Sequence, residues 1–575
     1  MALDFVSSWG VSEKNLAFLD QFVMLNGRPP VVLAIGNIAN NALKNALILR
    51  KRGIECDVLC YDYYHVMGCP EWECADFPTQ GINFDAPQWS TIDLKGYERP
   101  RWFVQGRLSA CLDYLLAMRE GRPDAEKLWR RLSDEVDDSK SVFQLEANSV
   151  PDHEVKLGLA RLKFLFGSYF PNRASAFDDD DLATRYGNHF QLAPKWRALL
   201  EKYDCIIGYS TDGFFPLAFQ KHPYISFEHG TIRTFPFEET TLGRLCALTY
   251  VHASDTLLTN CDNIVAAQRL KLRSYRFVPH PIVEVKPGEA AKKLRQELIR
   301  NHDTDFIVFH PSRQHWSSDR NLNWEKGNDF LIEGFARFVK LFRPKALLVM
   351  VDWGQTVSQS KALISRLGIS DRVLWIEPLT VPGVGRYIAA SDALADQFVI
   401  GAWGAIMPHG LMLGVPTLIH LNEEVHRWCF PEMPPILNVR TADEIAAALA
   451  RLTEPAVSKW YRQAGPEWYR RYHSEDVVAG RLLDSLSHCL KVDSLYDPIR
   501  KMSELEATLM ARLELSPTVN STNKSRQNSR KFAQRISIYL QQLRLRCPVV
   551  GGFLYAAARA LYRTSKVLAQ KLCIR

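Results

Sequence analysis

The sequence predicts an α/β protein made of two Rossmann-like halves. Three observations predict it. Short apolar runs that end in polar residues recur from VVLAIG (31–36) to PTLIHL (416–421), as strands of buried parallel sheets do. Helical stretches separate these runs, which is the pattern of repeated βαβ units. The charged stretch EVKPGEAAKKLRQELIRNHD (284–303) divides the series in two and reads as a connector.

The first half spans 1–285. VVLAIG is continuously apolar and is followed by the turn GNIANN (36–41). A helix from near Ala42 to about Arg52 comes next, with Gly53 as its stop, then a second strand in CDVLCYDY (56–63). Residues 64–180 are less regular and rich in Trp and Pro, with helical stretches near 107–119 and 155–168; they read as an insertion elaborating the first sheet. Order returns at CIIGYS (205–210), PYISFEHGT (223–231) and DTLLTN (255–260). Ligands of open α/β sheets bind at the carboxyl ends of strands. His229, Thr231 and Asn260 stand at such ends.

The second half spans 304–455. Its strands are FIVFHPS (306–312), ALLVMVD (346–352), RVLWIEP (372–378), ALADQFV (393–399) and PTLIHL. Residues 456–490 are helical and aromatic. Residues 516–530 are polar and lack a core pattern, as linkers do. The segment 516–575 as a whole reads as a basic amphipathic tail, in which Phe532, Ile536, Leu540 and Leu543 share one helical face.

A chain of 575 residues exceeds one domain, and 47% hydrophobic with 23% charged residues is a globular composition. The net charge of +7 is misleading. Ser516–Arg575 holds 12 Lys or Arg and no acid, so the other 515 residues carry −5. That excludes a nucleic-acid-binding body, and no nucleic-acid partner is expected. The tail's cations, beside apolar helical faces, fit an anionic membrane surface. The 12 cysteines form no CxxC pair. His65, Cys69 and Cys74 cluster without a fourth ligand, so buried thiols in a reducing compartment are expected, and no metal. The start of the chain shows no basic-then-apolar leader, and no apolar run reaches the ~18 residues of a spanning helix. A cytoplasmic location is expected.

Two segments carry chemistry. After the strand FIVFH come Arg313 and Lys326, then Gly327 and the helix NDFLIEGFARF. A planar guanidinium, a compact ammonium and a helix N-terminus together stabilise charge on a departing diphosphate. The second segment is the Gly-rich turn DQFVIGAWGAIMPHG (396–410). It lacks the GxGxxG spacing, and GNIANN lacks the GK[ST] ending of a Walker loop. Asp178–Asp181 read as a solvated turn. Glu71 and Glu73 of PEWE fit either acceptor hydroxyls or a structural turn. His280, between two prolines, reads as shaping a linker.

HPSRQHW (310–316), KGNDFLIEGF (326–335), DQFVIGAWG (396–404) and GLMLGVP (410–416) resemble the retaining glycosyltransferases of family 4. They look closest to a bacterial and archaeal branch with a DQ…GxxG donor loop. GNIANNA (36–42), PEWE (70–73), RWFVQG (101–106), EHGT (228–231) and PHPI (279–282) fit the same branch. The resemblance covers about residues 30–485 and rests on the order of these segments.

It implies a GT-B architecture, two Rossmann-like domains facing a cleft, with the helices of 456–490 crossing back to the first. Arg313 and Lys326 would hold the donor diphosphate, with His229 beside them at the reaction centre. Gly401, Ala402, Trp403 and Gly404 would offer backbone N–H groups to sugar and phosphate, and Gly36 and Asn37 would pack against the donor. Glu71, Glu73 and Glu228 would face the acceptor. No cofactor and no metal are implied beyond the nucleotide sugar. The family's two donor-loop glutamates, eight positions apart, are here Gly401 and His409, with backbone amides or Asp396 as substitutes for the first. The implied activity is sugar transfer, with retention, to a cell-envelope, lipid-linked or polysaccharide acceptor, peripherally at the inner face of the cell membrane. A catalytically degenerate binding or scaffold subunit and a nucleotide-sugar epimerase are the alternatives.

Overall fold

The computed structural model describes residues 9–137, 152–173, 178–284, 286–316 and 325–492. The predicted linker and basic tail lie outside the described residues.

The first sheet holds β1 (Val31–Ile35), β2 (Glu55–Tyr61), β3 (Phe103–Gly106), β4 (Cys205–Tyr209), β5 (Tyr224–Glu228), β6 (Asp255–Leu258) and β7 (Tyr275–Phe277). They are parallel, in the order β3-β2-β1-β4-β5-β6-β7. Alternation along β1 shows why its apolar run has no polar face. Val31, Leu33 and Ile35 enter one core, and Val32 and Ala34 enter the other. Helices cover both faces, so each side of the strand is interior.

The second sheet holds β8 (Phe306–His310), β9 (Ala346–Val351), β10 (Val373–Ile376), β11 (Ala393–Ala395), β12 (Thr417–Ile419) and β13 (Leu437–Asn438). Its parallel order is β10-β9-β8-β11-β12-β13. β8 repeats the logic of β1: Phe306 and Val308 face one core, Ile307 and Phe309 the other. Each sheet is doubly wound, and its strand order reverses once, between β1 and β4 and between β8 and β11. This is the predicted GT-B architecture.

The stretch expected to be a connector is a helix, Gly288–His302, that belongs to the second half. Arg295 donates to the Ala390 carbonyl at 2.8 Å and to Asp392 at 3.0 Å, while Ala291 and Leu298 are buried. Its apolar residues recur every three to four positions, and the dense charge between them hides the period. β3, β7 and β13 were not read from the sequence as strands; they are short.

The halves are joined at three places. The helix Glu475–Val492 returns to the first sheet, where Val478, Leu482 and Leu486 share a core with Val32 and Ala34. The helix Pro455–Tyr472 places Trp468, Tyr469 and Tyr472 in a cluster that contains Phe277 of the first half and Met407 of the second. The elaboration after β2 clasps the second half: Thr79 donates to the Pro378 carbonyl, Asp76 pairs with Arg386, and His65 stacks on Trp353 with centroids 6.5 Å apart. The carboxyl edges of the two sheets therefore face a common cleft.

Among the described residues no helix is long and apolar enough to cross a membrane. Among them, too, no group of three or more His, Cys, Asp and Glu could hold a metal ion. His65 Nδ1 accepts from the Met67 amide at 3.2 Å, and the Cys69 thiol donates to the Tyr64 carbonyl at 3.4 Å. Asp178 caps the helix Asp179–Gln191, accepting from the Asp180 and Asp181 amides at 3.1 Å.

Candidate functional site

The cation-bearing loop of the second half is fixed from beneath by one imidazole. His310 ends β8 and is fully buried. Its Nδ1 lies 2.9 Å from the Ala395 carbonyl, and its Nε2 lies 2.8 Å from Asn328 Nδ2. An amide nitrogen only donates, so Nε2 accepts and Nδ1 carries the proton. Burial pushes the imidazole down to about 4, which keeps it neutral. Asn328 also donates to the Arg313 carbonyl at 3.1 Å and accepts from the His315 amide at 2.9 Å. One side chain thus ties the strand end to the loop and to the helix Asn328–Leu341.

Gly327 precedes that helix with φ at +71°. A Cβ there would also lie 3.0 Å from Val399 and 3.2 Å from Phe398, so both backbone and space require glycine. The neighbours are close because the Phe398 amide donates to the Lys326 carbonyl at 2.8 Å.

That stitch brings Lys326 to the end of β11. The ammonium donates to Gln397 Oε1 at 2.6 Å. Burial lowers its pKa; Asp396 opposes the shift, and the charges of Arg313 and Arg233 reinforce it. Asp396 is buried and pushed up, with Lys326 opposing. Its Oδ1 accepts from Ser312 at 3.3 Å, and its Oδ2 has no hydrogen-bond partner among the described residues. Arg313 is exposed, with its guanidinium 5.8 Å from the Trp353 ring centroid.

The donor-loop residues separate by role. Ala402 and Trp403 are buried, and the indole packs on His426 and Phe430 at centroid distances of 5.0 and 5.1 Å. Gln397 holds the Ala402 carbonyl, and Gly401 accepts from the Asn422 amide at 2.8 Å. Gly404 has open space beside it. His409 Nδ1 lies 2.6 Å from the Ala405 carbonyl, to which it donates, so Nε2 is an acceptor. Nε2 is buried and has no partner among the described residues. Burial pushes His409 down to about 4, and Lys44 adds to the shift.

Lys44 lies on the helix Asn41–Lys51 of the first half, buried and paired with Glu73 at 3.7 Å. Its charge also depresses His229 and His280. Lys44 therefore stands among imidazoles from both halves. His229 follows β5, and its Nδ1 is buried with no partner among the described residues. Its carbonyl accepts from Asn260 at 2.7 Å, and Asn260 Oδ1 lies 3.2 Å from His280 Nε2. The His280 carbonyl in turn accepts from His473 Nε2 at 2.9 Å. Arg233 forks onto Asp262 at 2.5 and 2.8 Å.

Arg313 and Lys326 stand beyond β8, His409 beyond β11 and His229 beyond β5; the charge of Arg233 bears on His229 and Lys326, and that of Lys44 on His229 and His409. Other predicted residues are committed elsewhere. Asn37 is buried and clamps its own loop, donating to Asn40 at 2.8 Å and to the Gly68 carbonyl at 2.9 Å. Gly36 packs against Asp212. Glu71 forms a two-pronged pair with Arg99 at 2.8 and 2.9 Å. Glu73 pairs with Lys44, and Glu228 is fully buried, accepting from Tyr250 and the Gly230 amide. Lys44, Arg233 and Gln397 were not singled out from the sequence. The signal for Lys44 was present, since it sits on the same helical face as Leu43 and Leu47, where a charge needs a reason.

Lys326 and Arg313 thus present two cations beside β8, and Asp396 Oδ2 and His409 Nε2 are buried acceptors with no partner among the described residues.

No family model and no curated protein matches this chain. Among solved structures it is similar to the HepE protein of Anabaena in complex with UDP-glucose, at 12% identity over 80% of this chain and 99% of that one, with a TM-score of 0.46. It is similar to the sucrose-phosphate synthase of Thermosynechococcus elongatus, at 13% identity over 80% and 99%, with a TM-score of 0.45. A putative UDP-N-acetylglucosamine 2-epimerase of Listeria monocytogenes is 13% identical over 79% and 95%, with a TM-score of 0.37.

Proposed function

We propose that this chain is a glycosyltransferase that moves a sugar from a nucleoside diphosphate to a polysaccharide, lipid-linked or other cell-envelope acceptor, with retention at the anomeric carbon. The observation that carries the reading is the half-buried ammonium of Lys326, held by the amide of Gln397 at 2.6 Å rather than by a carboxylate. A partly desolvated cation whose hydrogen-bond partner is neutral is suited to an anionic ligand. Arg313 supplies a second cation at the same strand edge. In the transfer, the bond from the anomeric carbon to the diphosphate oxygen breaks and the bond to the acceptor oxygen forms on the same face. The acceptor's proton leaves on the diphosphate. Lys326 and Arg313 would stabilise the charge that grows there. Donor binding falls to the second half, acceptor binding to the first, and the tail (516–575) to an anionic membrane surface at the cytoplasmic face.

The testing experiment is the thermal shift of the purified chain with UDP, GDP, ADP and UDP-glucose. A ligand bound only by the native state raises the melting temperature. One base should do so, and Arg313→Ala should abolish the shift in a folded protein. Silence with every nucleotide would overturn the reading. It would favour the degenerate binding subunit, for which the specific observation is Gly401 and His409 standing where the resembled family has glutamates.

A further inference from the structure

The reversal of strand order between β1 and β4 holds a carboxyl that the donor site does not use. Asp212 lies in the short turn Ser210–Gly213 after β4. Its Oδ1 accepts from the Tyr61 hydroxyl, at the end of β2, at 2.6 Å. Its Oδ2 fills the space where a Cβ on Gly36, just after β1, would stand. Three adjacent strand ends thus converge on one carboxyl at the crevice where open α/β sheets take ligands.

Four carboxylates of the same cleft region each face a cation, whereas Glu228 is held by the Tyr250 phenol and the Gly230 amide. Glu73 has Lys44, Asp262 has Arg233, Asp76 has Arg386, and Glu71 has Arg99. Among the described residues no cation pairs with Asp212; its partner is a phenol, and burial pushes its carboxyl up to about 7. A partly buried carboxyl without a cation costs stability, and clefts that bind ligands are where such a cost is retained.

Tyr61 brings an aromatic cluster to this carboxyl. The partly buried rings of Tyr61, Tyr186 and His189 back onto the core residues Phe214 and Phe215: Tyr61 meets Phe215 edge-on at 5.3 Å and His189 at 6.2 Å, and Tyr186 packs on Phe214 at 4.3 Å. His189 Nδ1 is buried with no partner among the described residues. An acceptor oxygen beside aromatic faces is the chemistry that recognises a polyhydroxylated ring, with hydroxyls to the carboxyl and C–H faces to the rings.

We propose that Asp212 and Tyr61 form the acceptor subsite: Asp212 Oδ2 receives a hydrogen bond from a hydroxyl of a sugar or other polyol, and the Tyr61 hydroxyl holds the carboxyl in place. This rests on the glycosyltransferase reading above. It moves acceptor recognition from the internally paired Glu71, Glu73 and Glu228 to the β1/β4 crevice. Asp212 acts by binding, and the acceptor proton still leaves with the diphosphate.

The test uses the full chain loaded with UDP. Saturation-transfer NMR reads the binding of glucose, mannose, N-acetylglucosamine and glycerol, and calorimetry reads UDP. The wild type should transfer saturation to at least one probe. Asp212→Asn, which keeps the shape, should weaken that binding about tenfold, the usual loss for a hydrogen bond to a charged group, with UDP affinity unchanged. Tyr61→Phe should weaken it less and in the same direction, and carries the comparison if Asp212→Asn does not fold. Unchanged sugar binding in both variants overturns the proposal, as does silence toward every probe in a wild type that binds UDP. A wild type that binds no nucleotide strikes the donor reading instead. Sugar binding measured without nucleotide, wild type against Asp212→Asn, then decides the Asp212 assignment.

Discussion

The ammonium of Lys326 donates to Oε1 of Gln397 at 2.6 Å, so the cation is anchored by an amide at the end of β11. Asp396, one residue earlier, opposes the lowering of the Lys326 pKa without being its hydrogen-bond partner in this structure. The geometry holds the charge in place through a neutral hydrogen-bond partner.

Gln397→Glu should therefore weaken diphosphate binding more than its small change in shape warrants. The new carboxylate would form a direct ion pair with Lys326 and repel the ligand's phosphates. Losing charge-assisted contact of this kind costs about 1.5–3 kcal/mol, or at least tenfold in affinity. Lys326→Met should lose as much by removing the cation. Calorimetry with UDP at fixed ionic strength compares the two, and undiminished affinity in Gln397→Glu would refute the role given to the neutral anchor.

Asn328→Ala should destabilise the second half out of proportion to its size. The change strips a partner from His310 Nε2, from the Arg313 carbonyl and from the His315 amide together. Each buried group left unpaired costs about 1–3 kcal/mol. Urea unfolding should show a loss of several times ~1 kcal/mol, with nucleotide affinity falling as the Arg313 loop loosens. A loss no larger than that of an exposed helical Asn→Ala would show that the loop is held by other means.

Acid should destabilise this protein through its buried imidazoles. His310 and His409 are pushed down to about 4 and His473 to about 3, each chiefly by burial. A histidine with a depressed folded pKa contributes stability that is complete above the unfolded value near 6.5. That stability is lost as pH falls toward the folded value, because the unfolded chain binds the proton first. The loss is about 1.4 kcal/mol per histidine per pH unit within the window. His409→Gln should flatten the fall of the urea midpoint between pH 6.5 and pH 4 by about one proton's worth. An identical slope in wild type and variant would contradict a neutral, buried His409.

How much of this was legible in the sequence depended on how local each feature is. β1 and β8 are apolar at every position that matters, and such runs have few other solutions. The helix Gly288–His302 was missed because Ala291, Leu294 and Leu298 are spaced among charges that dominate the eye. The donor loop was legible as chemistry: Arg313, Lys326 and Gly327 follow a strand and precede a helix. The anchor of Lys326 was not, because Gln397 lies 71 residues away and only the sheet order places β11 beside β8. The same distance problem hid the partners of Glu71 and Glu228. The sequence leaves Glu71 between an acceptor contact and a structural turn, and the resemblance puts Glu228 at the acceptor; Arg99 holds Glu71 and Tyr250 holds Glu228. Lys44 was within reach, since a lysine on the apolar face of a helix cannot be a solvated charge.

Gly36 offers the sharpest check on why a residue is where it is. Its φ is +85°, and a Cβ would collide with the Asp212 carboxyl. Two costs are thus superimposed in Gly36→Ala. The left-handed backbone costs about 1–2 kcal/mol for a residue with a Cβ. The collision adds about 1–3 kcal/mol of overpacking, because the carboxyl is held by Tyr61 and cannot swing away freely. A double-mutant cycle with Asp212→Gly separates them. With the carboxyl gone, Gly36→Ala should cost only the backbone share, about 1–2 kcal/mol. Equal costs in both backgrounds would mean that the carboxyl yields without strain, and that backbone conformation alone selects glycine. A smaller cost in the Asp212→Gly background would show that the crevice is shaped around that carboxyl, the geometry on which acceptor recognition there depends.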